Sequence, residues 1–266
     1  MNLPADVAEV LDGRRQWALV QGDNRDVLPL LPDKSVAHVI TDPPYRPDVQ
    51  GLATSFNGFH GKRQFIKNER SFGYDSLSDE LRAHCGEQFA RLVSRWALVF
   101  CDVESVGRWI DALAALRYVR TGAWVKPNAA PQFTGDRPAA GFEACVISHA
   151  KGRLRWNGGG LPAVWHELVP INGPKGSERH HPTPKPISLM LRLVELFTDP
   201  ADVVLDPFAG SATTGVACLR LGRRFIGVEK DAGFYATALE RLQAEQQGLT
   251  LKAARAGQLA LFAGGT

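Results

Sequence analysis

Residues 41–45 read Thr-Asp-Pro-Pro-Tyr, directly after the apolar run 36–40. Proline has no N–H to give a sheet, so two in succession end the strand. An ordinary turn explains that much. A turn does not need the other residue types. Asp42 brings a carboxylate, Pro43 and Pro44 make a stiff backbone, and Tyr45 offers an aromatic face. An acid, rigid carbonyls and a ring at one strand end also suit the lip of a catalytic pocket.

A second stretch, 204–231, reads VLDPFAGSATTGVACLRLGRRFIGVEKD. Its order is strand, small-residue turn, helix, strand, acid. A helix that starts at a glycine-rich turn presents free N–H groups and lets a ligand approach bare backbone. Glu229 closes the next strand, about 20 residues after the turn, where an acid in the dinucleotide fold binds ribose hydroxyls. The pattern therefore predicts a nucleoside-bearing cofactor. Absence of G-x-G-x-x-G disfavours a nicotinamide dinucleotide. Val216 and Ala217 stand where a phosphate loop has Lys-Ser/Thr, which disfavours a nucleoside triphosphate. Asp206 heading the loop suits a cofactor with a positive amino group, and S-adenosylmethionine is one. A plain strand–turn–helix accounts for the turn, but less readily for Asp206 and Glu229 together.

These residues need a scaffold. Strand-like runs occur at 16–21, 36–41, 96–101, 119–125, 143–149, 202–206 and 223–229, and most are nearly continuous in apolar residues. That is how strands covered on both faces read. Helical stretches are predicted at 78–95, 104–116, 186–198, 212–221 and 231–245. The alternation predicts an α/β fold with a doubly wound, mostly parallel sheet. The 266 residues, 44% hydrophobic, suffice for one substantial core, expected over 1–245 with a flexible tail at 246–266. Net charge is only +3, which permits a nucleic-acid partner without demanding one. Four scattered cysteines and no C-x-x-C pair fit a reducing cytosol rather than a disulfide or zinc framework. The pair His180–His181 lacks ligand spacing, so no metal is expected. No segment has 18 consecutive apolar residues, and the N-terminus has no signal-peptide pattern.

Two stretches do not fit the layers. Residues 46–75 carry Lys62, Arg63, Lys67 and Arg70 among five aromatics. Residues 151–180 carry Arg153 and Arg155 with Trp156 and Trp165, in a glycine- and proline-rich context. Basic and aromatic residues together suit phosphates and unstacked bases. We expect the first stretch to be an active-site loop and the second to carry target recognition.

Taken in order, DPPY (42–45), HPTPKP (181–186) and DPFAGSATTG (206–215) resemble the beta group of amino-directed DNA methyltransferases, over about residues 16–245. The resemblance implies roles. Asp42 and the Pro43 carbonyl would accept hydrogen bonds from the exocyclic amine of the target base, on the rigid Pro43–Pro44 mount, with Tyr45 stacked on that base. Asp206, Phe208, Gly210, Ser211 and Thr213 would line the methionine end of S-adenosylmethionine. Glu229 would hold its ribose, Asp23 its adenine, and Thr183 and Lys185 its carboxylate. Ala212 departs from the usual glycine, and its methyl is expected to crowd the cofactor slightly.

The chemistry also stands without the family. An exocyclic amine is a poor nucleophile because its lone pair is conjugated with the ring. Two fixed acceptors on its hydrogens draw the nitrogen toward tetrahedral geometry and free that pair, and misplacing them costs rate steeply. The target atom is unreachable inside a duplex, so the base must be flipped out. An acid at position 42 favours adenine N6 by family habit. Cytosine N4 and an RNA base stay open, as does a non-catalytic DNA-binding relative, against which the intact Asp42, Tyr45, Asp206 and Glu229 argue. The expected partner is double-stranded DNA with a short target sequence, and a second copy of the chain is a further candidate. In the tail, Gln258, Leu259, Leu261 and Phe262 resemble the peptide that docks on the bacterial polymerase sliding clamp. An apolar tail folding back on its own domain fits those residues equally well.

Overall fold

The structure, a computed structural model, describes residues 2–45, 77–129, 131, 135–170, 185–255 and 257. Its centre is an eight-stranded sheet. The strands are β1 (Trp17–Gln21), β2 (His38–Thr41), β3 (Trp96–Cys101), β4 (Arg117–Val125), β5 (Phe142–His149), β6 (Val164–His166), β7 (Val203–Asp206) and β8 (Arg224–Glu229), in the order β1-β8-β7-β2-β3-β5-β4-β6. The first five in that order are mutually parallel, while β5 runs antiparallel to both β3 and β4. The expected α/β class and mostly parallel sheet are present.

Residues of β2, β3 and β7 are all buried, because helices cover both faces. The two-residue period of a strand divides them between two cores. Trp96, Leu98 and Phe100 enter one core, with α5 (Ile187–Phe197), α6 (Thr213–Arg220) and α7 (Ala232–Gln246). Ala97, Val99 and Cys101 enter the other, with α1 (Ala5–Leu11), α3 (Asp79–Leu92) and α4 (Val106–Ala112). Helix α6 lies close on β8. A Cβ added at Gly215 would stand 2.6 Å from the Phe225 ring, so glycine is what permits that approach.

The seven expected strands and five expected helices are present with small shifts at their ends. The sequence reading lacked α1, the short α2 (Asn24–Val27), the three-residue β6 and α8 (Leu251–Arg255). Helix α8 falls within the stretch expected as a tail. Arg255 holds Glu240 of α7 at 2.7 Å, so the tail's beginning is tied back to the domain. Gln258, Leu259, Leu261 and Phe262 lie outside the described residues, as do Lys62, Arg63, Lys67, Arg70 and Thr183. No described helix is long and apolar enough to cross a membrane.

The topology puts four acids at one edge. Strands β1, β8, β7 and β2 are parallel neighbours, and Asp23, Glu229, Asp206 and Asp42 stand at or just past their C-terminal ends. In open α/β sheets, ligands bind at that edge.

Candidate active site

The two loops singled out in the sequence are joined through one buried carboxylate. Asp206 is 3% exposed. Its Oδ1 accepts from the Thr41 hydroxyl at 2.7 Å and from Phe208 N at 3.2 Å, and its Oδ2 from the Thr214 hydroxyl at 2.7 Å. Thr41 immediately precedes Asp42, so this acid ties the end of β2 to the turn after β7. Burial pushes the Asp206 carboxyl up to about 6, against the pull of those donors. The resemblance gives Asp206 to the cofactor, and the structure gives both its oxygens neighbours inside the protein.

The glycine turn is held from two other sides. Glu229 accepts from Gly210 N at 2.7 Å and from Asp231 N at 2.8 Å, and burial raises its pKa. Arg241 of α7 donates to the Ser211 carbonyl, to the Ser211 hydroxyl at 2.8 Å and to the Thr213 hydroxyl at 3.2 Å. Burial lowers that guanidinium to about 10. Between Ser211 and Thr213, Ala212 caps α6 in the left-handed conformation, with φ 56° and ψ 41°. This is why glycine is usual at that position. The Ala212 methyl is 0% exposed and packs in the core. The expected crowding of the cofactor is therefore corrected: the cost of alanine lies in the backbone.

Beside the turn, Asp23 caps α2, accepting from Arg25 N at 2.9 Å, and it pairs with the side chains of Arg25 at 2.6 Å and Lys230 at 3.4 Å. Arg25 first, then Lys230, hold its carboxyl well below the usual range. Asn24, absent from the sequence reading, is 6% exposed and reaches toward the Pro207 carbonyl at 3.4 Å. Its buried Oδ1 has no partner among the described residues. A nucleoside-bearing cofactor fits here. The turn offers backbone, Glu229 and Asp23 offer acceptors, and Asn24 Oδ1 is an acceptor awaiting a donor.

The catalytic loop is built on a compact ion cluster. Asp42 Oδ2 meets the Lys185 ammonium at 2.5 Å, and that ammonium also meets Glu143 Oε2 at 3.0 Å. Glu143 accepts from the Tyr45 hydroxyl at 2.7 Å and pairs with Lys126. Burial raises Asp42 and Tyr45 above their ordinary values. Burial also pushes Glu143 up, but Lys185 and Lys126 outweigh it and bring the acid to about 2. Asp42 is 30% exposed, yet its Oδ1 is inaccessible and has no partner among the described residues.

Several placements differ from expectation. Lys185, expected at the cofactor carboxylate, has its ammonium in the Asp42–Glu143–Tyr45 cluster. Glu143 and Lys126 were missed, and the available signal was an acid opening the otherwise apolar strand β5. Arg153 and Arg155 follow the antiparallel β5 to the far end of the sheet, where Arg155 pairs with Asp199 at 3.2 Å. Trp96 at the start of β3 donates to the Arg155 carbonyl at 2.6 Å. Trp156 and Trp165 pack against Phe197 as core rather than as stacking platforms. Those two rings are therefore engaged within the domain, and the basic residues Arg153 and Arg155 remain as the feature that suggested target recognition in this stretch. No described group of three or more His, Cys, Asp or Glu is placed to hold a metal.

Comparison with known proteins agrees with this geometry. The N6_N4_Mtase family, described as DNA methylase, matches residues 148–240. The methylase-named protein YubD of Escherichia coli (strain K12) is 32% identical over 240 residues, covering 88% of this chain and 94% of its own. The Type II methyltransferase M.HinfI of Haemophilus influenzae is 27% identical, covering 85% of this chain and 68% of its own. Among solved structures, the M1.HpyAVI–SAM complex superposes with a TM-score of 0.60 at 26% identity, covering 85% of this chain and 98% of that one. The PvuII cytosine-N4-specific DNA methyltransferase shares the fold, with a TM-score of 0.61 at 17% identity over 84% of this chain and 85% of that one. With four acids at the C-terminal edge of the sheet and a DPPY loop tied to a glycine turn, this chain belongs to the N6/N4 family of DNA methylases.

Proposed function

We propose that the protein methylates the N6 amine of adenine in DNA, at a short target sequence and with the base flipped into the pocket. The observation that supports methylation of an exocyclic amine is Asp42 Oδ1, a buried acceptor with no partner among the described residues, at the strand end beside the cofactor turn; the choice of adenine rests on the acid at position 42, which the family resemblance associates with that base. An amine has hydrogens to give and a delocalised lone pair to be freed, so an unmatched acceptor is what it requires. S-adenosylmethionine is the cofactor, and when bound it supplies a methyl group on a sulfonium.

The residues of this chain do the rest. Asp42 Oδ1 takes one amine hydrogen and the Pro43 carbonyl takes the other. Tyr45, its hydroxyl anchored on Glu143, presents its ring to the flipped base and replaces part of the lost stacking, worth about 1–3 kcal/mol. Asp23, Asn24 and Glu229 would hold the nucleoside end of the cofactor, and the turn 208–213 its methionine end. Arg241 and the Asp206–Thr41 bond keep the two loops in register.

The test is incubation of unmethylated DNA with the protein and labelled S-adenosylmethionine, followed by nucleoside analysis. N6-methyladenine is expected, whereas N4-methylcytosine would move the assignment to the other branch of the family. Asp42→Ala should bind the cofactor in calorimetry and lose at least about 1,000-fold in transfer. Full transfer by that variant would remove the assigned role of Asp42.

A further inference from the structure

Building on the methyl-transfer reading, we infer that Lys185 is a positioning residue of the catalytic loop, keeping Asp42 ionised and occupying one of its oxygens so that the other alone faces the substrate amine. The resemblance implies a cofactor contact for this lysine, and the structure shows its ammonium held by the catalytic loop and β5. Its side chain is 9% exposed, with the ammonium 2.5 Å from Asp42 Oδ2 and 3.0 Å from Glu143 Oε2. The rings of Phe100, Tyr45 and Trp124 surround it at 5.1, 5.3 and 5.7 Å from their centroids. A cation held by two carboxylates and three ring faces has one address.

Glu143 makes this arrangement a unit. It holds the ammonium that fixes Asp42 and also the hydroxyl of the ring that stacks on the base. Lys126 balances its charge from the far side. Two carboxylates and two ammoniums then sum to zero, which is how such a cluster tolerates burial.

Among the described residues, the charged and titratable groups facing Asp42 are Lys185, Glu143 and Tyr45. Asp206 lies across Thr41, and the Cys101 and Cys145 thiols lie behind. Burial first, and then Glu143, favour the protonated form of Asp42, while Lys185 opposes both. Without that ammonium, the balance at Asp42 shifts further toward the protonated form, which is a weaker acceptor.

The experiment compares Lys185→Met, Lys185→Arg, Asp42→Asn and the double variant Asp42→Asn/Lys185→Met with the unaltered protein. It measures kcat against pH, cofactor affinity by calorimetry, and carboxyl titration by NMR on 13Cγ-aspartate-labelled protein. Lys185→Met should bind S-adenosylmethionine within about threefold of the parent. Its kcat near neutral pH should fall about 100-fold. Below its raised acid limb, the loss should recover about tenfold per pH unit on going up. Lys185→Arg should restore the parent's acid limb. In the Asp42→Asn background, Lys185→Met should change kcat less than about threefold, because there is no carboxylate left to ionise.

The NMR signal absent from Asp42→Asn should titrate at higher pH in Lys185→Met than in the parent. Where the methionine variant does not fold, Lys185→Gln gives the same reading, since it keeps a donor and removes the charge. A loss equal at every pH, a weakened cofactor with kcat intact, or full additivity in the double variant would each overturn the proposal. A parent protein that transfers no methyl to DNA would instead defeat the functional reading. The NMR titration would then still decide whether Lys185 governs Asp42.

Discussion

At the C-terminal end of β2, Asp42 meets Lys185, and at the N-terminal end of the same strand His38 meets Asp202 at 2.8 Å. Both ends carry buried ion clusters. In the lower one, Arg95 bridges Asp199 at 2.8 Å and Asp202 at 2.6 Å, and Arg155 joins from outside. This cluster ties the starts of β2, β3 and β7 together. A shallow cleft nearby is lined by Arg14, Arg15, Arg223 and Arg224. Arg223 and Arg224 in it are engaged on carbonyls: Arg223 caps α5 at Thr198, and Arg224 caps α1 at Val10 and Leu11.

The difference lies in what each end leaves over. The lower cluster leaves guanidinium nitrogens of Arg95 and one imidazole nitrogen of His38, with no buried oxygen of Asp199 or Asp202 spare among the described residues. The upper cluster leaves a carboxylate oxygen. A buried ion network therefore does not by itself mark a site. An unmatched acceptor at the C-terminal edge of parallel strands, next to a glycine turn, does.

The largest effect should come from the end that does no chemistry. Arg95→Met removes the cation shared by two carboxylates, leaving Asp199 with Arg155 and Asp202 with the buried imidazole, and removing one member of a buried ion cluster costs about 3 kcal/mol. The urea midpoint should fall accordingly, while kcat and KM measured well below the new transition should match the parent. A large loss of kcat at a temperature where the variant is fully folded would break the separation of the two ends.

Acid should act on the two ends at different pH. Burial holds the His38 imidazole below its ordinary pKa of 6.5, so it is neutral in the fold and gains a proton more readily when unfolded. Its contribution to stability is complete above 6.5 and is lost as pH falls through 6.5 toward the lower folded value. Glu143, brought to about 2, contributes fully above 4.5 and loses that only as pH falls toward 2. Asp206 has the opposite sign: raised to about 6 from 3.8, it contributes below 3.8 and loses that as pH rises to 6. The clean measurement is therefore a difference between proteins. The stability gap between the parent and His38→Gln should shrink from pH 7 to pH 5.5, by as much as about 1 kcal/mol. A constant gap would mean that the fold leaves the His38 pKa unshifted, and a gap that widens toward pH 5.5 would mean that His38 is charged in the fold, so that the lower end would then resemble the upper.

Much of the upper end was legible because its chemistry is local. TDPPY and DPFAGSATTG each carry their residues on one strand end, and a doubly covered sheet makes β3 read as WALVFC with no polar break. What was not legible depends on strand direction. Arg153 and Arg155 looked like DNA-phosphate contacts beside the flipped base by composition alone. Only the antiparallel run of β5, pairing Trp96 with His149, sends them to the other end. The same reversal brings Glu143, at the start of β5, up beside Asp42. One unreadable strand direction thus separated two expected residues from Asp42 and hid a third beside it. Lys185 was found for its motif, but its partner across 143 residues was not in the sequence pattern.

The smallest effect should come from a residue in the middle of the upper end. Ala212 sits in the cofactor turn, where the sequence comparison suggests that glycine would relieve crowding and tighten cofactor binding. In the structure its methyl points into the core, so three terms act on Ala212→Gly, none of them at the cofactor. Leaving the left-handed region to glycine gains about 1–2 kcal/mol. Losing a buried methyl costs about 0.8 kcal/mol. The freer unfolded chain costs about 0.4–1 kcal/mol more. These nearly cancel, so stability should shift by less than about 1 kcal/mol in either direction. Calorimetry should give the same affinity for S-adenosylmethionine within about twofold, and kcat should not change. A severalfold tighter affinity would restore the crowding account. It would also mean that the left-handed turn, rather than the Asp42 cluster, is where this upper end departs most from an optimal site.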